Sequence, residues 1–157
     1  MNPNSVCRRT LKRTREGAAR PVGLAVSEMN SDKTRTIYVI DDDELVRQAV
    51  NDLLSARGYL VLEAKDGEAG MSLIESEAPA LIITDIMMPN RDGLETIREM
   101  KKRLPLVPIL VMSGSSLGGS VNFMEFARKL GADAHIQKPF KQAAFLERVE
   151  LLLQRPA

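Results

Sequence analysis

From Arg35 onward, short apolar runs rich in β-branched residues alternate with longer stretches whose apolar positions recur at helical spacing. That alternation predicts a βα repeat built around a parallel sheet. Strands are predicted at 36–40, 60–63, 80–84, 107–112 and 134–137. Most of them read as continuously apolar, as strands covered on both faces do. Helices are predicted over about 43–56, 67–77, 93–103, 119–130 and 141–154. The first carries Leu45, Val46, Ala49, Leu53 and Leu54 at helical spacing, with Gly58 just past its end. The second stops before Pro79 and the third before Pro105, because the residue preceding a proline is pushed out of helical backbone space. The fourth ends at Gly131, and the fifth turns Phe145, Leu146, Val149, Leu152 and Leu153 toward the sheet. The expected fold is a five-stranded α/β domain of the doubly wound type with helices on both faces, and no stretch is left over for an output domain.

A chain of 157 residues is long enough for one well-buried core and too short for two ordinary domains. Its 44% hydrophobic and 27% charged residues match the globular average and set aside disordered or disulfide-rich classes. The single cysteine, Cys7, has no partner for an internal disulfide. No apolar run approaches the roughly 18 residues a membrane span requires, so a cytoplasmic protein is expected. The net charge of +1 hides an asymmetry: residues 1–34 hold seven Lys/Arg against three Asp/Glu, and the remainder is acidic. Residues 1–34 lack apolar periodicity and are read as a basic, solvated tail outside the folded body of 35–157. Such a tail can also touch nucleic acid or an anionic membrane surface, and translation from Met29 would remove most of it.

In open parallel sheets, ligands bind outside the carboxyl ends of the strands, where the strand order reverses. The residues expected there are Asp41, Asp42 and Asp43 after the first strand, Asp85 after the third, Ser113 after the fourth and Lys138 after the fifth. Carboxylates gathered at one point repel each other and call for a raised pKa or a cation. Oxygen ligands without His or Cys favour a hard divalent ion such as Mg²⁺ over zinc. A cation beside a carboxylate, a hydroxyl and an ammonium makes a receptacle for a tetrahedral dianion, which points to phosphoryl chemistry with a carboxylate nucleophile. Asp85 fits that part best, at the centre of the sheet edge and at the start of a loop bounded by Pro89 and Gly93.

Four segments, in order at the strand ends, carry a resemblance: Tyr38–Glu44 with its acidic run, Thr84–Pro89 followed by Asp92-Gly93, Met112-Ser113-Gly114, and Lys138-Pro139-Phe140. Together they resemble the response-regulator receiver family, over about 36–153. The resemblance implies the flavodoxin-like strand order 2-1-3-4-5. It also implies Asp85 as phosphoacceptor and metal ligand, Asp42 as a direct Mg²⁺ ligand, Asp41 acting on the metal through water, and Met87 offering its backbone carbonyl. Ser113 and Lys138 would each hold a phosphoryl oxygen, and the Lys138–Pro139 bond would be cis. His135 stands where many receivers carry a ring that swings on activation. It is read as a half-buried strand residue that could serve with Ser113 as a switch. The donor would be a histidine kinase or phosphotransfer protein. A separate target would bind the surface of the fourth helix, fifth strand and fifth helix, and phosphorylation-dependent homodimerisation stays open. No DNA-binding domain and no membrane span are expected, and the only chemistry would be on the chain's own carboxylate, so it is not read as an enzyme.

Asp43 and Glu44 are assigned to capping the first helix rather than to the site. The Gly- and Ser-rich loop 113–119 is expected to move, and the stripe Val121, Phe123, Met124, Phe126, Ala127 and Leu130 is wider than one buried face needs. Met87 and Ser115 offer no carboxylate or amide to orient water, so an aspartyl phosphate here is not expected to be especially short-lived. A cofactor carrier of the flavodoxin type would need a hydroxyl- and glycine-rich loop where this chain has acid. A phosphohydrolase with an Asp nucleophile would want a second acid at Met87. A binding module without phosphorylation would not need a complete site, and a DNA-binding regulator would have only the tail to work with.

Overall fold

A computed structural model describes residues 35–88, 93–114, 125 and 128–154. The elements run β1 (Thr36–Ile40), α1 (Glu44–Ser55), β2 (Leu60–Ala64), α2 (Gly67–Ser76), β3 (Leu81–Asp85), α3 (Gly93–Arg103), β4 (Ile109–Ser113), β5 (Ala134–Gln137) and α4 (Gln142–Leu153). All strand pairs are parallel, in the order β2-β1-β3-β4-β5. The expected doubly wound fold and flavodoxin-like order are therefore present. The fifth predicted helix is α4. Of the predicted helix over 119–130, Glu125 and 128–130 are helical, and the rest of it lies outside the described residues, as do the tail and the loop 115–119.

Strand side chains alternate between two layers of core. Tyr38, Ile40, Ile82, Ile109 and Val111 face α2 and α3, where Met71, Ile74, Leu94, Ile97 and Met100 close over them. Ile37, Val39, Leu81, Ile83, Leu110 and Met112 face α1 and α4, meeting Val50, Leu54, Phe145 and Val149. Because both faces are covered, the central strands β3 and β4 are buried along their whole length, which is why they read as apolar runs up to the polar residues at their carboxyl ends.

Local chemistry set the helix ends, at Asp43 as expected. Asp43 caps α1 by accepting from the backbone N–H of Leu45 and Val46, and Asp66 caps α2 through Ala69 N–H. Past α1, Gly58 takes the left-handed conformation at φ 83°. One helical face differs from the sequence reading. In α1, Val50 and Leu54 are buried, while Leu45 is 75% exposed and lines an apolar groove with Pro139 and Phe140. Periodicity places several apolar residues on one side of a helix, but the tilt of α1 on the sheet decides which of them reach the core.

The fourth strand also starts two residues late. Val107 N–H donates to Leu104 C=O in a turn, and the ladder with β3 opens where Ile82 N–H donates to the Pro108 carbonyl, so the paired strand begins at Ile109. Its first residue is pinned reciprocally: Asp133 N–H donates to Ile109 C=O at 2.9 Å, and Ile109 N–H donates to Asp133 Oδ2 at 2.9 Å. Lys101 Nζ binds the same Oδ2 at 2.9 Å and the Val107 carbonyl at 2.8 Å, which ties the end of α3 to the sheet. Replacing Asp133 by Ala strands a strand N–H and removes the counter-charge of the Lys101 ammonium, which keeps only carbonyl partners, and is expected to cost about 2 kcal/mol. Urea denaturation of the variant checks this; a midpoint equal to wild type would contradict it.

Candidate functional site

Parallel pairing brings the carboxyl ends of β1, β3, β4 and β5 to one edge of the sheet. Asp85 is the last residue of β3, in register with Met112, and Ser113 ends β4 in register with Gln137. Asp41 follows β1 directly, and its N–H extends the ladder to the Ala64 carbonyl. Lys138 follows β5, where its N–H donates to Ser113 C=O at 2.7 Å. The Lys138–Pro139 peptide is cis, as expected. Both Asp85 and Ser113 close their strands rather than follow them, a one-residue shift from the predicted boundaries.

Long-range contacts complete the cluster. Lys138 Nζ donates to Asp41 Oδ2 at 2.5 Å and to Asp85 Oδ2 at 2.8 Å. Asp41 is fully buried and Asp85 is 6% exposed. Burial pushes the Asp41 carboxyl above the usual range, against the pull of Lys138. Burial also works against the Lys138 ammonium, but the hydrogen bonds and charges of Asp41 and Asp85 outweigh it and hold its pKa above the usual lysine value. Asp85 Oδ1 accepts from Met87 N–H at 3.0 Å, so both oxygens of Asp85 are oriented. Asp42 is exposed beside them.

Carboxylate oxygens of Asp41, Asp42 and Asp85 lie within 4.8 Å of one another, close enough to share one cation. The chemistry of this donor set is all oxygen, and one ammonium cannot neutralise three carboxylates. A hard divalent cation fits these residues.

The structure thus brings together Asp41, Asp42, Asp85, Ser113 and Lys138. It joins Met87 to them through its N–H; the Met87 side chain is 54% exposed. His135 is not gathered in. It sits on the edge strand β5, exposed rather than half-buried. Loss of ring solvation against its neighbours and the nearby Arg148 lower its pKa, and Arg148 binds its backbone carbonyl at 3.1 Å. Asp43 and Glu44 stay out of the cluster, Asp43 as a cap and Glu44 facing Gln48.

One contributor escaped the sequence reading. Arg47 Nη1 donates to the Asp41 carbonyl at 2.6 Å. The available signal was a cation near the amino end of a helix, where the dipole disfavours one.

The segment after Asp85 is held against α3. A Cβ on Gly93 would overlap the backbone O, Cα and C of Ile86, atoms that cannot rotate away. Gly93→Ala is therefore expected to destabilise the fold by about 2 kcal/mol and to displace the Ile86–Met87 turn. Denaturation together with amide shifts of Met87 checks this, and an unperturbed spectrum would refute the close approach.

Comparison with known proteins agrees with this architecture. The model of the response regulator receiver domain matches residues 37–150. Response regulator MprA of Mycolicibacterium vanbaalenii is 38% identical over 119 residues, covering 76% of this chain and 50% of that protein. Its counterpart in Mycobacterium ulcerans is 37% identical with the same coverage. The chain spans about half the length of these curated relatives. Among solved structures, the receiver domain of NtrX from Brucella abortus superposes with TM-score 0.71 at 31% identity, covering 76% of this chain and 99% of that one. The chemotaxis protein CheY4 of Vibrio cholerae gives 0.69 at 25% identity, covering 76% of this chain and 98% of that one. Among the described residues, no helix is long and apolar enough to cross a membrane.

Proposed function

The chain belongs to the response regulator receiver family of two-component systems, and from that premise we propose that Asp85 accepts a phosphoryl group from a phosphohistidine on a histidine kinase or phosphotransfer protein. The observation that carries the reading is the Lys138 ammonium held between Asp41 and Asp85 at the carboxyl edge of the sheet. It orients Asp85 Oδ2, and it stands ready to pair with an incoming dianion.

In the transfer, an Asp85 oxygen attacks phosphorus, the bond from phosphorus to the donor imidazole breaks, and a mixed carboxylic–phosphoric anhydride forms. The electron pair of the broken bond returns to the imidazole. Charge spreads over the phosphoryl oxygens during this step, so positioning and neutralisation supply most of the acceleration. Lys138 neutralises one oxygen, and the Ser113 hydroxyl, at the buried end of β4, serves another. Asp42, Asp85 and the Met87 carbonyl would hold Mg²⁺ directly, with Asp41 acting through water; the ion when bound supplies further neutralisation of the transferring group.

Product formation changes what Lys138 binds. With a dianion on Asp85, the ammonium has a stronger partner than the Asp41 carboxylate, and Ser113 can follow the same group. Two arrangements of β4 and β5 then differ in contacts, which is what a population shift requires. His135, exposed on β5, would take part as a switch only by moving inward. Of the expected target surface, β5 and α4 are described, and most of 119–130 lies outside the described residues. The chain's chemistry is confined to its own carboxylate in this reading, and a kinase charged by ATP places it in the cytoplasm.

Intact mass after incubation with acetyl phosphate, with and without Mg²⁺, tests the reading. A gain of one phosphoryl group that requires Mg²⁺ is expected. No gain from acetyl phosphate or from a phosphorylated histidine phosphotransfer protein would overturn it.

A further inference from the structure

Each polar atom of Asp41 has a partner. Its N–H donates to Ala64 C=O, Oδ1 accepts from Asp43 N–H at 2.9 Å, Oδ2 accepts from Lys138, and its carbonyl accepts from Arg47 Nη1 at 2.6 Å. Asp42, the next residue, is exposed, and among these contacts none holds its carboxylate. Its position is therefore set by the two peptide planes that flank it. Arg47 fixes the first through the Asp41 carbonyl. The Asp41 carboxylate fixes the second through Asp43 N–H.

Arg47 is itself anchored. Its Nε lies 3.6 Å from Glu63 Oε2, with 14% of its side chain exposed, and Glu63 also accepts from Asn51 Nδ2. Glu63 neighbours Ala64, whose carbonyl receives Asp41 N–H. The guanidinium thus ties the end of β2 to the acidic turn, from a place near the amino end of α1 where the helix dipole opposes a cation. Arg47 meets the carbonyl through Nη1 and faces the carboxylate through Nε, two donors held apart at fixed angles in one plane; a lysine would have to reach both from a single nitrogen.

On the metal assignment proposed above, we infer that Arg47, held by Glu63, is a positioning residue for the cation site: it sets the peptide plane that aims Asp42. The sign of its effect separates this from simple electrostatics. As a charge alone, Arg47 repels a divalent cation, so its removal would tighten binding. As a positioning residue, its removal loosens the exposed ligand and weakens binding, by about tenfold on the scale of partners that orient metal ligands.

The experiment is Mg²⁺ titration by calorimetry on the full chain, for wild type, Arg47→Met, Arg47→Lys and Glu63→Gln, with amide shifts of Asp42 and Asp43 followed in parallel. Weaker binding in Arg47→Met, with both amides displaced in the metal-free protein, is the expected result. Arg47→Lys keeps the charge and is expected to lose several-fold in affinity; it decides the matter if Arg47→Met fails to fold. Glu63→Gln, which frees the anchor, is expected to lose less than Arg47→Met. Unchanged or tighter binding in Arg47→Met, or unchanged binding in Arg47→Lys, overturns the inference while leaving the metal assignment standing. A wild type that binds no Mg²⁺ overturns the assignment itself, and the positioning role with it.

Discussion

Asp85→Asn is expected to gain no phosphoryl group from acetyl phosphate under conditions where the wild type gains one. Asn matches Asp in shape, and its one side-chain oxygen can accept from Met87 N–H in place of Oδ1 or from Lys138 in place of Oδ2, though not from both. What disappears is the anionic oxygen that attacks phosphorus, and a neutral amide oxygen is a far poorer nucleophile. Loss of the fold is not expected to explain the result. Asp85 shares one ammonium with Asp41, so removing one of two crowded carboxylates relieves repulsion and leaves Lys138 fully paired with the other. Intact mass reads the first effect and a urea melt the second. Uptake equal to wild type would move the phosphoacceptor elsewhere, whereas an unfolded variant would make Asp85 structural first and chemical second.

Lys138→Met is expected to produce the largest loss of stability. The ammonium is the charged partner of two carboxylates, one with a fully buried side chain and the other with 9% of its side chain exposed. Methionine has a similar stem, so packing changes little, but two buried anions are left to face each other. Breaking a buried pair by removing one partner costs about 3 kcal/mol or more. The loss is expected in metal-free buffer. Saturating Mg²⁺ should recover more stability in this variant than it adds to the wild type, because Lys138 no longer competes for Asp41 Oδ2 and Asp85 Oδ2. Denaturation with and without Mg²⁺ measures both terms. Equal metal-free stability for variant and wild type would show that the ion pair contributes nothing net.

These outcomes rest on contacts of very different sequence separation, and that separation explains how much could be read from the chain. Asp43 as a cap, Gly58 beyond the first helix and the buried strands β3 and β4 depend on neighbours a few residues away, so spacing and residue type announce them. Placement of Asp41, Asp85, Ser113 and Lys138 at one edge needed a single further rule, that ligand chemistry in a parallel sheet collects at the carboxyl ends. Offsets appeared where prolines intervene: β4 starts at Ile109 because Pro105 and Pro108 spend the preceding residues in a turn.

By itself, then, the sequence determined the order of elements, the two-layer core and the identities of the acidic, hydroxyl and lysine groups at the sheet edge, since each follows from local periodicity and chain direction. Tertiary structure decided which atoms meet. Lys138 lies 97 residues from Asp41 and 53 from Asp85, and only the packed sheet sets both bonds at once. It also decided that Leu45 faces a groove while Val50 is buried, that His135 stays exposed on an edge strand, and that Arg47 reaches back to the Asp41 carbonyl. The physical reason is common to all four: a side chain's burial and partners depend on where the neighbouring elements come to rest against it, and residue spacing along one element does not contain that information.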